Sequence, residues 1–584
     1  MYNEADYLDI TTNLPNIIDQ AKLLASKVIE PTIDEQNDVM TCIKDFLRVK
    51  QRIIYGGTAI DAAIKNINPD DGVYKSYCYG DIEFYSTTPV EDIVELSDII
   101  YKKGFKYVVA NEASHDETFK LFVNFKEYCD VTYVPKIIEN NIQTLEIDAL
   151  RYVHPHFAYI DHLRIFNNPL TAADYIWEKM FPRTYKLLKY YPISQQNKPL
   201  KISLPPKYTE KIFDKLRSEY FRTDENYNFL ISGYDAYTFY IRQSIRGTSS
   251  NKNPAVVKKT KIVEKYYTNI PSIEILSTNY VNTVLDLYKF IYNDVDDVSK
   301  LSKLENAPFF QFTGRSITIL YQNYPIITVY DYDGTCIPNI RTKNGYNYIT
   351  YQYTLMILFI NKFRAYVNKN KSDYNNYNIA ISNLISARNN FINVNKLGVI
   401  NDTVFGEFRI ECVGKTDTFL RLGKLRQLSK RQRGHNTFRY EPENRNEKFD
   451  PTYRTGTFSN TSGNVLSENN TVFKIDSKFM LKLSKANLDI SGGDKVEQIE
   501  FSYSESTDND RLTTSEDTDV EAEDTDEAED TDVEAEDTDL EAEDTDVEDT
   551  DLEIEADTDL EIEDDENSDD TEIDLEESIS SIDI

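Results

Sequence analysis

Cysteine is scarce in this chain of 584 residues: five, at positions 42, 78, 129, 336 and 412. They are scattered, odd in number and include no CxxC pair. Neither a disulfide framework nor a zinc knuckle is therefore expected, and a reducing intracellular compartment fits. No apolar run of 18 residues occurs, and the start, MYNEADYLDITTN, is acidic and polar where a signal peptide is basic and then apolar. A soluble chain without a membrane span is expected. Tryptophan occurs once against 42 tyrosines. Together with abundant Asn, Ile and Lys, this bias is what A+T-rich codons produce, and it bears on the genome rather than on mechanism.

Positive charge is missing from one region only. After residue 504 the chain carries 41 of its 100 acidic residues and a single basic one, Arg511. The formal charge of -36 thus belongs to the tail, while residues 1–504 carry 63 basic and 59 acidic side chains. A pI near 4.6 does not argue against a nucleic-acid partner for that mildly basic body. The tail repeats EDTD at 516, 523, 529, 536, 543 and 548 and has no aromatic residue after Tyr503. Its burial of apolar surface cannot offset chain entropy, so disorder is expected. Beyond a solubilising role, its carboxylates are candidates to compete with RNA for the basic body.

The body is long enough for two or three globular units. Residues 16–50 read as two helices, with Ile17, Ile18, Ala21 and Leu24, then Met40, Ile43, Phe46 and Leu47, at spacings of three and four. Strand signals follow at 80–86, 105–110, 119–125 and 128–134, with a helix between Val90 and Lys103, which makes a mixed α/β unit. Residues 160–191 are helical, with Thr171 as a candidate N-cap and Pro182 expected to end or kink the helix. Further helices are expected near 348–368 and 375–396, and His435 to Asn470 reads as loop.

An internal duplication runs through the body at a period of about 180 residues, far longer than solenoid repeats. TCIKDFLRVKQ leads into RIIYGGTAIDAAI (52–64) as YTEKIFDKLRSEYF leads into FLISGYDAYTFYI (229–241). SIEILS (272–277) then stands for DIEFYS (81–86), and ILYQNYPIITV for VNFKEYCDVTY. In this alignment Asp81 becomes Ser272, Asp130 becomes Ile326, and only Glu83 keeps an acid, Glu274. The second copy is expected to be a scaffold unable to hold metal.

The chemistry concentrates in the first copy. A strand that ends in Gly56-Gly57 and turns straight into a helix offers backbone N–H groups and a helix N-terminus, which attract phosphate, and Thr58 adds a hydroxyl. Asp81 and Glu83, two apart on a strand, project to one face. Asp130 in EYCDVTYV lies on a segment able to pair beside them. Three carboxylates beside a phosphate cradle suit a pair of divalent ions in phosphoryl transfer. Taken singly, Gly-Gly is an ordinary tight turn and acid-x-acid a solvated face; their ordered combination points to a metal site.

This combination, YGGTA, then DIEFYS, then CDVTYV, resembles the polymerase-β-like nucleotidyltransferases. With the segment DHLRIFNNPLTAADYIWEKMFPRTYKLLKYYP (161–192), it resembles within them the poly(A) polymerase catalytic subunits of large DNA viruses, the poxvirus and giant-virus branch. The likeness is best over about 40–195, weaker to about 415 and absent from the tail. It implies an α/β nucleotidyltransferase domain at 51–195 with a mixed sheet, after a helical segment at 1–50. A degenerate second nucleotidyltransferase-like domain follows at 196–415, a basic segment and polar linker at 416–503, and the acidic tail at 504–584. It implies transfer of AMP from ATP to an RNA 3′-hydroxyl with release of pyrophosphate. Asp81 and Glu83 would hold both Mg²⁺ or Mn²⁺ ions. Asp130 would bind the ion that lowers the hydroxyl's pKa and would take its proton, while Gly56, Gly57 and Thr58 would meet the β and γ phosphates. It further implies a viral-factory or virion location in the host cytoplasm, with a homodimer or a viral processivity subunit as partner. The same site serves another nucleotide or acceptor equally well, and a non-catalytic RNA-binding partner of the same fold is the third reading.

Two features depart from the pattern: Glu83 stands where Asp is commonest, and the 23 residues between Gly57 and Asp81 require INPDDGVYKSYC to loop out. Lys179, Arg183 and Lys186 recur at helical spacing as candidate triphosphate or RNA contacts, or as a solvated basic face. Arg421, Lys424, Arg426, Lys430, Arg431 and Arg433 form a candidate RNA contact, with Phe438 and Tyr440 as stacking partners. The basic loop 247–265 either clasps RNA or is disordered. His154, His156 and His162 lack a fourth ligand at metal spacing, which favours structural roles.

Overall fold

Runs of β-branched and aromatic residues such as Ile53-Ile54-Tyr55 and Ile273-Glu274-Ile275-Leu276 form the central strands of two sheets. The computed structural model describes residues 2–444 except 76–78, 114–116, 174–175, 196–197, 223–228, 249–269, 416–420 and, between 422 and 437, all but 424, 425 and 428. The acidic tail, the loop 249–265 and Arg426, Lys430, Arg431 and Arg433 lie outside the described residues.

The first sheet contains β1 (Ile53–Tyr55), β2 (Ile82–Ser86), β3 (Val109–Glu112), β4 (Thr118–Val123), β5 (Lys126–Tyr133), β6 (Thr144–Ile147) and β7 (Leu150–Val153). The second contains β8 (Phe229–Ser232), β9 (Ile273–Ser277), β10 (Leu301–Asn306), β11 (Ser316–Tyr321), β12 (Tyr324–Asp331), β13 (Ile337–Arg341), β14 (Asn347–Ile349) and β15 (Cys412–Val413). β16 (Arg439–Tyr440) returns to the open edge of the first sheet. The strand orders are β16-β3-β4-β5-β2-β1-β7-β6 and β10-β11-β12-β9-β8-β14-β13-β15.

Without the added edge strands the two orders are the same. β1 runs antiparallel to β2 and parallel to β7, and β2 runs parallel to β5. β8 stands in the same relations to β9 and β14, and β9 to β12. The duplication expected from the sequence is therefore a duplication of topology. Its register corrects one equivalence: Glu83 pairs with Asp130 and Glu274 with Thr328, so the counterpart of Asp130 is Thr328 and not Ile326. Each hairpin carries its bulge at the same place, so the two match without a gap; the sequence alignment was out of step by two residues, a shift that an alternating pattern of period two does not reveal.

Helices cover the sheets and join the lobes. Ile33–Lys50, capped by Thr32, buries Val39, Ile43, Phe46 and Leu47. Pro155–Phe166 of the first lobe packs on Tyr351–Val367 of the second through Phe157 against Phe363 and Tyr159 against Phe359, with ring centroids 5.1 and 5.6 Å apart. Helix Tyr351–Val367 is buried on nearly every side, and each large apolar side chain so enclosed contributes about 1.5–3 kcal/mol. The two lobes thus share one core cluster, and the second lobe has a further cluster of its own around Ile275, Leu287 and Val329.

Several local expectations change. The helix expected from residue 16 runs from Glu4 to Val28 and buries none of its residues; Ile17 and Leu24 are 54% and 64% exposed. Helix Ile176–Tyr190 continues through Pro182 rather than ending there. Thr171 lies inside a short turn of helix, while the helix start before it is capped by His154. Phe438 and Tyr440 are buried, not available for stacking on RNA, because β16 pairs with β3 and sets Phe438 edge-on against Phe119. Cys336 and Cys412, 76 residues apart, form a disulfide, because β13 and β15 bring their chain segments alongside each other.

Where the first lobe has acids, the second has a cation. The Arg364 guanidinium is buried and donates to Tyr330 Oη at 3.0 Å, Asn361 Oδ1 at 3.2 Å and Thr313 Oγ1 at 2.7 Å. Its charge eases the ionisation of buried Glu274, whose carboxyl burial otherwise holds above the usual range. Arg364→Met is expected to destabilise the chain by about 3 kcal/mol, by removing a buried counter-charge to Glu274 together with the guanidinium's hydrogen bonds to Tyr330, Asn361 and Thr313. In urea unfolding followed by tyrosine fluorescence, adding Glu274→Gln should recover part of that loss.

The three histidines are structural. His154 caps its helix through His156 N–H, His156 Nε2 meets the Tyr191 carbonyl at 3.1 Å, and His162 Nδ1 meets Thr184 Oγ1 at 2.8 Å. Burial, assisted by the Arg183 charge, pushes the His162 imidazole down to about 3. Between the ordinary value of about 6.5 and that value the unfolded chain binds a proton that the native chain refuses. Stability attributable to His162 therefore falls as pH drops through this window. His162→Gln is expected to narrow the difference in thermal midpoint between pH 7 and pH 4.5.

Candidate active site

The turn after β1 is shaped by one contact. Gly56 opens helix Gly56–Ile67 with φ +66°, in the left-handed region, and a β-carbon there would fall 1.5 Å from Glu83 Oε2. Gly57 N–H donates to the same oxygen at 3.0 Å, and Thr58 Oγ1 donates to the Asp81 carbonyl at 2.7 Å. The turn and the start of β2 are thereby locked together. Arg183, from helix Ile176–Tyr190, lies 5.4 Å over the Tyr74 ring, and both side chains reach the outer side of Gly57.

Pairing of β2 with β5 sets Glu83 beside Asp130. Asp81, immediately before β2, joins Asp130 and a residue that the sequence did not single out, Glu127: one carboxylate oxygen from each lies within 4.8 Å of the others. Glu127 and Asp130 are three apart and in a regular strand would face opposite ways. The bulge at Tyr128, where Leu121 pairs with Cys129 but Phe122 with Glu127, brings them to one face.

Crowding shows in the proton affinities. Burial, then the charges of Asp81 and Asp130, raise the Glu83 carboxyl to about 8 although the Gly57 N–H opposes the shift. Burial raises Asp130 to about 7, with Lys120 opposing and Glu127 and Asp81 adding to it. Burial draws the Lys120 ammonium down, but the hydrogen bond to Glu127 and the charge of Asp130 outweigh it and raise it. Asp130 is 8% exposed, and its Oδ1 has no hydrogen-bond partner among the described residues. An enclosed carboxylate oxygen without a donor, beside two more carboxylates and no nitrogen or sulfur ligand, fits a hard divalent cation such as Mg²⁺.

The other sequence candidates separate. Arg183 stands at the Gly-Gly turn; Lys179 is exposed on the same helix; Lys186 ties down the inserted loop through the carbonyls of Asp71 and Gly72 at 3.1 and 3.2 Å. Arg421 and Lys424 are exposed.

Gly56→Ala is expected to cost about 1–2 kcal/mol from the backbone alone, with the displacement of Glu83 in addition. The check is a lowered thermal midpoint, against an unchanged one for Thr58→Ser, which keeps the hydroxyl bond to Asp81.

Comparison with known proteins bears on this geometry. Residues 41–172 match the family "Poly(A) polymerase catalytic subunit", and residues 207–475 match "APMV, Putative poly(A) polymerase, catalytic subunit, C-terminal". A relative of that catalytic-subunit name from Acanthamoeba polyphaga mimivirus is 44% identical over 497 residues, covering 81% of this chain and 85% of the relative. One from African swine fever virus (strain Badajoz 1971 Vero-adapted) is 33% identical over 181 residues, covering 30% of this chain and 38% of the relative. The crystal structure of the Megavirus polyadenylate synthase superposes with a TM-score of 0.73 at 44% identity, covering 82% of this chain and 95% of that one. With its duplicated topology, its Gly-Gly turn and its carboxylate face, the chain belongs to the viral poly(A) polymerase catalytic subunit family.

Proposed function

We propose that the chain extends RNA 3′ ends, transferring AMP from ATP with release of pyrophosphate. The observation that carries this is the approach of Asp81 and Asp130 oxygens to within 4.8 Å, with Glu83 paired beside Asp130, at a Gly-Gly turn in a chain of this family. Asp81, Glu83 and Asp130 would hold the divalent ions, Mg²⁺ or Mn²⁺. When bound, such ions polarise the attacking hydroxyl and offset charge on the leaving pyrophosphate.

The chain's own groups do the rest. Gly56, Gly57 and Thr58 form the turn that receives the triphosphate, with Arg183 supplying positive charge at its outer side. Asp130, placed beside Glu83 by the pairing of β5 with β2, is the group that would accept the proton of the RNA 3′-hydroxyl. Tyr55 of β1 and Tyr85 of β2, stacked with ring centroids 4.1 Å apart, join the strand that leads into the Gly-Gly turn to the strand that carries Glu83. Exposed Arg421 and Lys424 are candidate contacts for RNA phosphate.

The test is extension of a 5′-labelled RNA oligonucleotide with each NTP separately in the presence of Mg²⁺. A long ladder is expected with ATP alone and is expected to be abolished by Asp81→Asn and by Asp130→Asn. Extension by another nucleotide, or no extension despite RNA binding, would replace this reading with a different transfer reaction or a non-catalytic role.

A further inference from the structure

Lys120 is the cation that the carboxylate face carries with it. It projects from β4 directly opposite Asp130 of β5, and its ammonium lies 2.5 Å from Glu127 Oε1 and 3.5 Å from Asp130 Oδ2. The lysine thus bridges two acids of the cluster that the bulge assembles.

The second lobe supplies an internal comparison, since it repeats the strands, their register and the bulge. There the position of Lys120 is Thr318, paired with Thr328 and hydrogen-bonded to it at 2.8 Å, and the position of Glu127 is Pro325. Asp81 has become Ser272, which precedes Ile273 as Asp81 precedes Ile82. Four charged groups, Asp81, Lys120, Glu127 and Asp130, are absent as a set. The fifth, Glu83, is kept as Glu274, and its glycine partner is kept as Gly233, with φ +60° and no room for a β-carbon against the Glu274 carboxyl. The glutamate–glycine contact therefore belongs to the fold, whereas Lys120 and Glu127 go with the carboxylates that hold a cation. A lysine needed only to pin β4 to β5 would have no reason to leave with them, because the paired strands and their bulge remain.

We propose that Lys120 and Glu127 are a positioning pair for Asp130: Lys120 occupies the cation position on Asp130 until a divalent ion claims it, and Glu127 retains the displaced ammonium. This rests on the reading that the carboxylate face holds divalent ions. The pair spares Asp130 an unrelieved repulsion from its neighbours, and it sets metal affinity by competition. Glu127 acts through Lys120 and is not itself a ligand.

The experiment is Mn²⁺ binding to the full-length protein by electron paramagnetic resonance at 150 mM KCl, without nucleotide or RNA. Asp81→Asn serves as the blank for ions held by the acidic tail. Lys120→Met is expected to tighten Mn²⁺ binding and Glu127→Gln to weaken it, each by about tenfold. In the Lys120→Met background, Glu127→Gln should change affinity by less than about threefold, since the competitor it restrained is gone. Equal costs of Glu127→Gln in both backgrounds would make Glu127 a direct ligand and overturn the proposal, as would unchanged affinity in Lys120→Met. Should Lys120→Met fail to give the native circular dichroism spectrum, Lys120→Gln removes the charge at nearly constant shape. Wild-type binding no greater than the blank would overturn the metal-site reading along with the pair; binding above the blank with an additive cycle overturns the pair alone.

Discussion

Like charges held together against their repulsion are the constraint on which this structure turns. Parallel pairing of β2 with β5, and a bulge in the β4–β5 hairpin, gather Asp81, Glu83, Glu127 and Asp130 at one end of a sheet. Burial raises the proton affinity of Glu83 and Asp130, and neighbouring carboxylates add to it, Asp81 and Asp130 at Glu83 and Glu127 and Asp81 at Asp130. The surrounding structure answers with specific partners: the Gly57 N–H for Glu83 and the Lys120 ammonium for Glu127 and Asp130. One oxygen of Asp130 is left without a partner among the described residues. Rigidity is what keeps the acids from relaxing apart, and it comes from the aromatic core shared by both lobes and from a turn that only glycine can make.

The second lobe shows how the same framework settles when that repulsion is removed. Its sheet has the same order and its hairpin the same bulge, yet serine, threonine and proline stand at three of the acidic positions. The remaining glutamate, Glu274, is stabilised by a cation that is part of the chain, Arg364, together with Asn361. A covalently attached guanidinium cannot be exchanged for a metal ion. This site is closed to the chemistry of the first, while its contacts with helix Tyr351–Val367 help to build the core on which the first depends.

Legibility in the sequence follows the range of the interactions involved. The Gly-Gly turn was readable because strand, turn and helix are contiguous, and Asp81 and Glu83 because a strand alternates with period two. Asp130 was found from an alternating segment nearby. Glu127 was not, since a spacing of three puts it on the wrong face until the bulge is known. Lys120 was not, since its place opposite Asp130 is a matter of register between two strands. The Cys336–Cys412 pair was missed for the same reason: its partners are 76 residues apart and meet only through sheet order. Phe438 and Tyr440 looked like exposed rings beside a basic run, and nothing local announced that β16 closes the edge of a sheet formed more than 300 residues earlier.

By itself the sequence determined the elements and the chemical character of the site: which segments alternate, where the chain must turn, where the acids lie, and that the negative charge of the whole belongs to its tail. Those are consequences of neighbouring residues and of the two backbone periodicities. The tertiary structure alone decided which acids meet, which cation stands among them, and which copy of the duplicated fold keeps its charges. Charge interactions act between groups that strand pairing brings within a few ångström, and the pairing of distant strands is fixed by burial of the entire core, not by the residues on either side of any one acid.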